Sequence, residues 1–363
     1  MSPRLLASIA VFLILPAALT TLILVREIQI DDVAVDFTDS YYPAGEFLLA
    51  GESPYSESEW RLANRTAYVY PPLTAAMVAP FTALSARTAG ILWTLGLLAA
   101  LAASLALVGV RDWRLYGLTL LWPATVSAIQ TASVTLLLGL LCALGWQFRD
   151  RRFVCGVFLG LAIALKLFLW PLAWWLFTTR RYASAATAGA LAAISTASVL
   201  LFLSTTEYVD LLRQLSDLVE RDTYTLFALL RELGVPEDPT RALVLIVGGL
   251  VLFFGRTSFA LCLGAALLVA PIAWLHYFVL LAIPLGISGA PLWAWCVPLL
   301  MWLVPGGSEN GATWQITLTL AAAAITLSVS AAYESLRGRA LRRPGFPSRR
   351  PTPRVARRTS RRA

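Results

Sequence analysis

Charge is scarce in this chain. Only 14% of its 363 residues are charged, against 58% that are hydrophobic, where a soluble domain carries about 25% charged residues. Lysine and histidine are nearly absent: Lys166 and His276 are the sole examples, and every other base is an arginine. Cysteine occurs four times, as Cys142, Cys155, Cys262 and Cys296, always inside apolar runs and never in a CxxC spacing. That argues against a disulfide framework or a cysteine metal site and reads the four as small buried hydrophobes. No Walker or glycine-rich phosphate loop is present either, so nothing points to nucleotide-driven chemistry.

What fills the chain instead is apolar run after apolar run. Stretches of about 20 residues without charge are membrane spans by length, since the hydrocarbon core is about 30 Å thick. The first, residues 5–25, lacks a signal-peptidase site and reads as a retained span. Further runs begin at Tyr70-Pro71-Pro72 and cover residues 88–110, 115–147 (broken at Pro123), 183–203, 242–254, 258–275, 277–287, 291–304 and 315–333. Residues 153–179 are apolar between two basic clusters, Arg151–Arg152 and Arg180–Arg181. Both clusters favour the cytoplasm, so the segment must go out and return. At about 1.5 Å per residue each arm reaches roughly 20 Å, short of a full crossing. Lys166 falls at the tip of this hairpin. The expectation is an all-α, polytopic integral membrane protein with about ten to twelve transmembrane segments, both termini cytoplasmic.

The polar residues are gathered in two places. Of 21 acids, 17 fall in residues 26–71 and 204–240, which read as two extracytoplasmic loops bearing short interfacial helices. In the second loop Glu207, Asp210, Asp217 and Glu220 recur at helical spacing, with Leu211, Leu212, Leu215 and Leu218 expected on the opposite face. The net charge of +8 does not describe a nucleic-acid surface, because eleven arginines crowd between Arg337 and Arg362. Residues 337–363 read as a disordered cytoplasmic tail that touches anionic lipid or serves only as a topology anchor.

Three features could carry chemistry. Asp36 and Asp39 stand among Tyr41, Tyr42, Tyr55 and Tyr70. Carboxylates among aromatics suit a sugar site, where rings stack on sugar faces and a carboxylate takes a proton from a hydroxyl. The same pattern fits an aspartate capping an interfacial helix with headgroup-level tyrosines. Lys166 at membrane depth is a candidate partner for a phosphate, or else snorkels to the interface. His276, in Pro271-Ile272-Ala273-Trp274-Leu275-His276-Tyr277, is either a site residue or a satisfied core histidine, and a lone histidine makes a zinc site a poor fit. Gln130 could line the same cavity, or mark a polar patch that breaks a helix.

The blocks Asp36-Phe37, Tyr41-Tyr42-Pro43-Ala44-Gly45, Gly51-Glu52-Ser53-Pro54-Tyr55, Tyr70-Pro71-Pro72-Leu73, Pro80-Phe81 and Leu84 together resemble glycosyltransferase family 87. Gly156-Val157-Phe158-Leu159-Gly160, running on to Lys166, and the Pro-x-x-Trp-x-His element ending at His276 agree with it. The resemblance implies a GT-C-like helical bundle over residues 1–336. It implies a plasma-membrane enzyme that moves a sugar, mannose first and arabinofuranose next, from a polyprenyl-phosphate donor to a glycolipid or polysaccharide hydroxyl outside the cytoplasm, with inversion and without a cofactor. It implies that Asp36 is the general base, with Asp39 a rival because one extra residue separates the Asp-Phe and Tyr-Tyr pairs. Lys166 and His276 would stabilise the leaving phosphate, with Tyr41, Tyr42, Tyr55, Tyr70, Gln130 and Trp274 around the substrates. Tyr277 stands where members often carry a second histidine, and Ile129-Gln130 where Gly-Gln is usual. The alternative from another class is a transporter or flippase of a lipid-linked glycan.

Overall fold

The computed structural model describes residues 3–29, 34–56, 58–64, 66–219, 223–304 and 313–341. Of the disordered tail expected over residues 337–363, residues 337–341 instead continue the helix Thr313–Leu341; the rest of it and Glu220 lie outside the described residues. Among the described residues every regular element is helical. Four helices are apolar and long enough to cross a bilayer: Leu5–Arg26, Ala86–Leu107, Tyr182–Leu201 and Thr313–Arg337. At about 1.5 Å per residue they span roughly 30–38 Å. This fits a polytopic helical membrane protein.

The expected ten to twelve crossings are not ten to twelve full-length helices. Pro123–Gln130 and Thr135–Gln147 form a pair bent by 118°, and six further apolar helices have only 10–17 residues. The reason is that apolar sequence runs straight through several backbone breaks. The run 258–275 stops being helical at Val269, because Pro271 follows and the residue before a proline is pushed out of the helical region. In the run 115–147 the break expected at Pro123 is there, with Trp122 extended. A sharper one comes after Gln130, where Ala132 adopts φ 50°. A third falls at Lys166, whose φ of −143° and ψ of 107° end the helix Val154–Leu165. Irregular backbone is tolerated at membrane depth only where it lines a cavity or is covered by protein. Three of these breaks, after Gln130, at Lys166 and at Pro271, converge on one cavity.

The hairpin around Lys166 has the expected shape. The helix Pro171–Thr178 carries the chain back, so the arginine clusters at either end come together. Arg181 Nε donates to the Arg149 carbonyl at 2.8 Å, and Ser184 Oγ to that of Arg152 at 2.8 Å. The outgoing arm lies along Tyr182–Ala197, and Ser195 Oγ donates to the Ala164 carbonyl at 3.2 Å, just before Lys166. Gly156 and Gly160 make this possible: a Cβ on either would collide with the backbone of Ser184 or Ala188. Close helix approach through small residues four apart is a membrane packing device. It fixes how far Lys166 is carried along its neighbour. Gly160→Val should therefore overpack the contact, destabilising by about 1–3 kcal/mol and lowering the unfolding temperature measured in detergent.

Two smaller expectations need correction. Cys142, Cys155 and Cys262 are buried and free, but Cys296 is exposed, at the end of the short helix Leu292–Cys296. The helix Thr205–Val219 exposes Glu207 and Asp217 and buries Leu211, yet Leu218 is also 45% exposed. The apolar stripe is narrower than its leucines suggest and ends at Leu215.

Candidate active site

Asp36 opens a widely wound helical turn, Asp36–Tyr41, that runs on into the helix Tyr42–Leu49. Its neighbours hold it from the far side. Phe37 is fully buried and packs its ring 5.4 Å from Trp93 and 6.3 Å from Phe81. The Tyr42 hydroxyl donates to the Leu84 carbonyl at 2.9 Å. Gly45 and Gly90 leave room for the turn to press against Ala79 and the long helix Ala86–Leu107. The backbone amide of Asp36 donates to the Thr131 carbonyl at 3.0 Å, and Trp93 Nε1 to that of Ala132 at 3.0 Å. The turn is thus clamped to the second break. Ala34, at φ 63°, lets the chain enter it. Left-handed backbone at non-glycine residues clusters at functional sites, and here Ala34 and Ala132 flank Asp36 from two segments.

With Phe37 and Tyr42 anchored in the core, Asp36 faces a cavity of about 730 Å³, within the usual size for a small-molecule site. Its polar lining includes Asp36, Asp39, Ser40, Thr66, Ser127 and Thr131; its apolar lining includes Leu165, Leu167 and Phe168 from the hairpin tip and Leu212 and Leu215 from the amphipathic helix. Tyr208 ties that helix over the cavity by donating its hydroxyl to the Val69 carbonyl at 3.0 Å. Lys166 and His276 come in from the two remaining breaks.

The charges in this cavity are held apart. Lys166 is 5% exposed, and among the described residues its Nζ has no hydrogen-bond acceptor. It sits over two rings instead, 4.1 Å from the centroid of Tyr277 and 5.2 Å from that of Tyr70. His276 is 4% exposed, and its Nε2 is likewise without a partner among the described residues. Asp36 is half-buried. Burial pushes its carboxyl up to about 6, opposed by the positive charge of Lys166 and reinforced by Asp39. Asp39 is exposed at the rim. Its carboxylate accepts from Thr38 Oγ1 at 3.0 Å, and Arg61 donates to its carbonyl at 2.9 Å. No three His, Cys, Asp or Glu residues cluster as a metal site among the described residues.

Seven of the ten residues singled out in the sequence line this one cavity: Asp36, Asp39, Lys166, His276, Tyr41, Tyr70 and Trp274. Three do not. Tyr42 is spent on the anchor to Leu84. Tyr55 stands behind Tyr70, donating to its backbone carbonyl at 2.8 Å. Gln130 is not in the lining, because the polar patch it belongs to is the helix break itself, and Ser127 and Thr131 of the same segment reach the cavity. Sequence reasoning passed over Tyr277, Tyr208, Tyr224, Ser127 and Thr131. Tyr277 had a signal in its adjacency to His276. Tyr224 had none: its amide donates to the Ala273 carbonyl at 2.8 Å, a link between distant segments.

Broken helices meeting at a charged cavity within an apolar bundle define a helical membrane protein with an internal reaction or binding chamber. The chain belongs to glycosyltransferase family 87, whose model matches residues 68–261, more than half of its 363 residues. It is therefore a membrane glycosyltransferase. No curated protein and no solved structure matches it significantly. The family match includes Tyr70 and Lys166 but begins after Asp36 and ends before His276. It is the fold that brings those two to the others.

Proposed function

We propose that this chain transfers a sugar, mannose first in line, from a polyprenyl-phosphate donor to a hydroxyl of a glycolipid or polysaccharide, on the extracytoplasmic side of the plasma membrane and with inversion. The observation that carries this reading is the joint placement of Asp36, Lys166 and His276 in one cavity with a partly apolar lining. In the proposed step the acceptor oxygen attacks the anomeric carbon. Its proton passes to Asp36, and the bond from the anomeric carbon to the phosphate oxygen breaks. The electron pair leaves with the polyprenyl phosphate, whose growing negative charge falls to Lys166 and His276. A donor already activated in the lipid needs no nucleotide loop, in keeping with the lack of one. The apolar lining from hairpin tip and amphipathic helix suits the lipid end of such a donor. The acidic loops and arginine clusters support a cavity facing outward and termini facing inward.

Family membership favours an enzyme over a lipid carrier. Membranes containing the protein, supplied with radiolabelled polyprenyl-phosphate mannose, should form a labelled glycolipid or glycan. Movement of unmodified donor across the bilayer without new glycoside would establish the carrier instead.

The state of Asp36 adds a pH dependence. A base works only when ionised, and burial pushes this carboxyl up to about 6. Turnover should be flat above that pH and fall about tenfold per unit below it. A turnover profile flat down to pH 4.5, about the ordinary carboxylate range, would remove Asp36 from the role.

A further inference from the structure

A buried ammonium and a half-buried carboxylate facing one cavity should draw together. Here they do not. No ion pair within 4 Å joins Lys166 to Asp36 among the described residues, and the Asp36 carboxylate accepts no hydrogen bond there. What occupies the ammonium is the face of Tyr277, 4.1 Å away, with Tyr70 on another side at 5.2 Å. Both rings are themselves fixed. Tyr277 stacks on Phe168 at 5.1 Å and 13°, and Tyr70 sets its edge against Tyr41 at 5.2 Å, with their hydroxyls 3.3 Å apart. An aromatic face attracts a cation most strongly where water is excluded. It does so without supplying a counter-charge that would compete with a bound anion.

We infer that Tyr277, backed by Tyr70, is a positioning residue that holds the Lys166 ammonium off Asp36, keeping the base unpaired and the cation free to turn to a phosphate. This rests on the roles proposed above for Asp36 and Lys166. It goes beyond them in assigning a function to a residue that touches neither reacting oxygen. A closed Asp36–Lys166 pair would disable both groups at once, because a paired carboxylate is a weaker base and a paired ammonium is already neutralised.

Lys166 is the only lysine in the chain, so protein grown on lysine carrying 13C at Cε gives one side-chain resonance. In the wild type its Cε protons should lie upfield, shielded by the tyrosine faces. Tyr277→Phe keeps the face and should keep that shift, with turnover within about threefold of wild type. Tyr277→Leu should lose the shift, lower turnover roughly thirtyfold, as for a desolvated cation–π contact, and move the acid limb of the pH profile below that of the wild type. The limb reports on Asp36, which faces Asp39 and Tyr41 of its own turn, Lys166 of the hairpin, Tyr70, and His276 and Tyr277 beyond the break at Pro271. If Tyr277→Leu does not fold, Tyr277→Met carries the same expectations.

An unshielded wild-type resonance, an unmoved limb in the folded Leu or Met variant, or equal damage in Tyr277→Phe overturns the inference. The resonance needs no donor. It therefore tests the placement of Lys166 even if the donor assignment fails, which would show instead as a donor KM unaffected by Lys166→Met.

Discussion

Asp36→Asn should cut sugar transfer by about 10²–10⁴-fold, the range set by loss of a positioned general base. The substitution keeps the size and shape of the side chain. The anchors of the turn, Phe37 in its aromatic cluster and the Asp36 amide on the Thr131 carbonyl, involve no carboxylate oxygen. Folding should survive, read as an unchanged elution profile and unfolding temperature in detergent, and donor binding should change little. Asp39→Asn is the matched control. Asp39 is exposed at the rim and its carboxylate accepts from its neighbour Thr38, so this variant should keep most of its activity. The reverse ranking of the two variants would hand the base to Asp39.

Lys166→Met should be nearly as damaging, by about 10²–10³-fold in kcat/KM, the usual cost of removing a group that meets developing charge in a dry site. Methionine fills similar volume and suits the ring faces of Tyr70 and Tyr277, so the loss reports on charge and not on a cavity. The effect should divide between a raised donor KM and a lowered kcat, because the phosphate is charged before transfer and more so during it. Lys166→Arg should recover activity only in part. It retains the charge but places a planar fork where a compact ammonium fits between two rings. Full activity in Lys166→Met, measured with the lipid donor at saturation and below it, would leave the phosphate to another cation.

Much of this site was legible in the sequence, for reasons specific to each residue. Lys166 stood out because it is the one lysine in an apolar chain, and its hairpin followed from two arginine clusters too close together for two full crossings. Asp36, His276 and the tyrosine blocks stood out as short motifs. Tyr42 and Tyr55 stand outside the cavity lining, a distinction sequence does not carry, because it cannot tell a tyrosine that meets a substrate from one that holds a loop. Their hydroxyls reach backbone carbonyls at Leu84 and Tyr70. The expected segment count exceeds the number of long helices for a related reason: hydropathy records how apolar a segment is but is insensitive to a bend. The break after Gln130 interrupts an apolar run without a proline; the polar patch there left it as one of two readings, and the φ of Ala132 and its carbonyl contact with Trp93 decide it.

The sequence by itself determined that this is a helical membrane protein, that its rare charges are worth following, and that its motifs are those of a glycosyltransferase family. Composition and local spacing are enough for that, because lipid solvation acts on each residue and motifs are short. Only the tertiary structure decided that Asp36, Lys166 and His276, separated by more than a hundred residues at each step, share one cavity, and that the ammonium lies against the faces of Tyr277 and Tyr70. Those outcomes depend on where broken helices stop and what they pack against. Packing energies are summed over contacts between distant segments, and no window of sequence contains them.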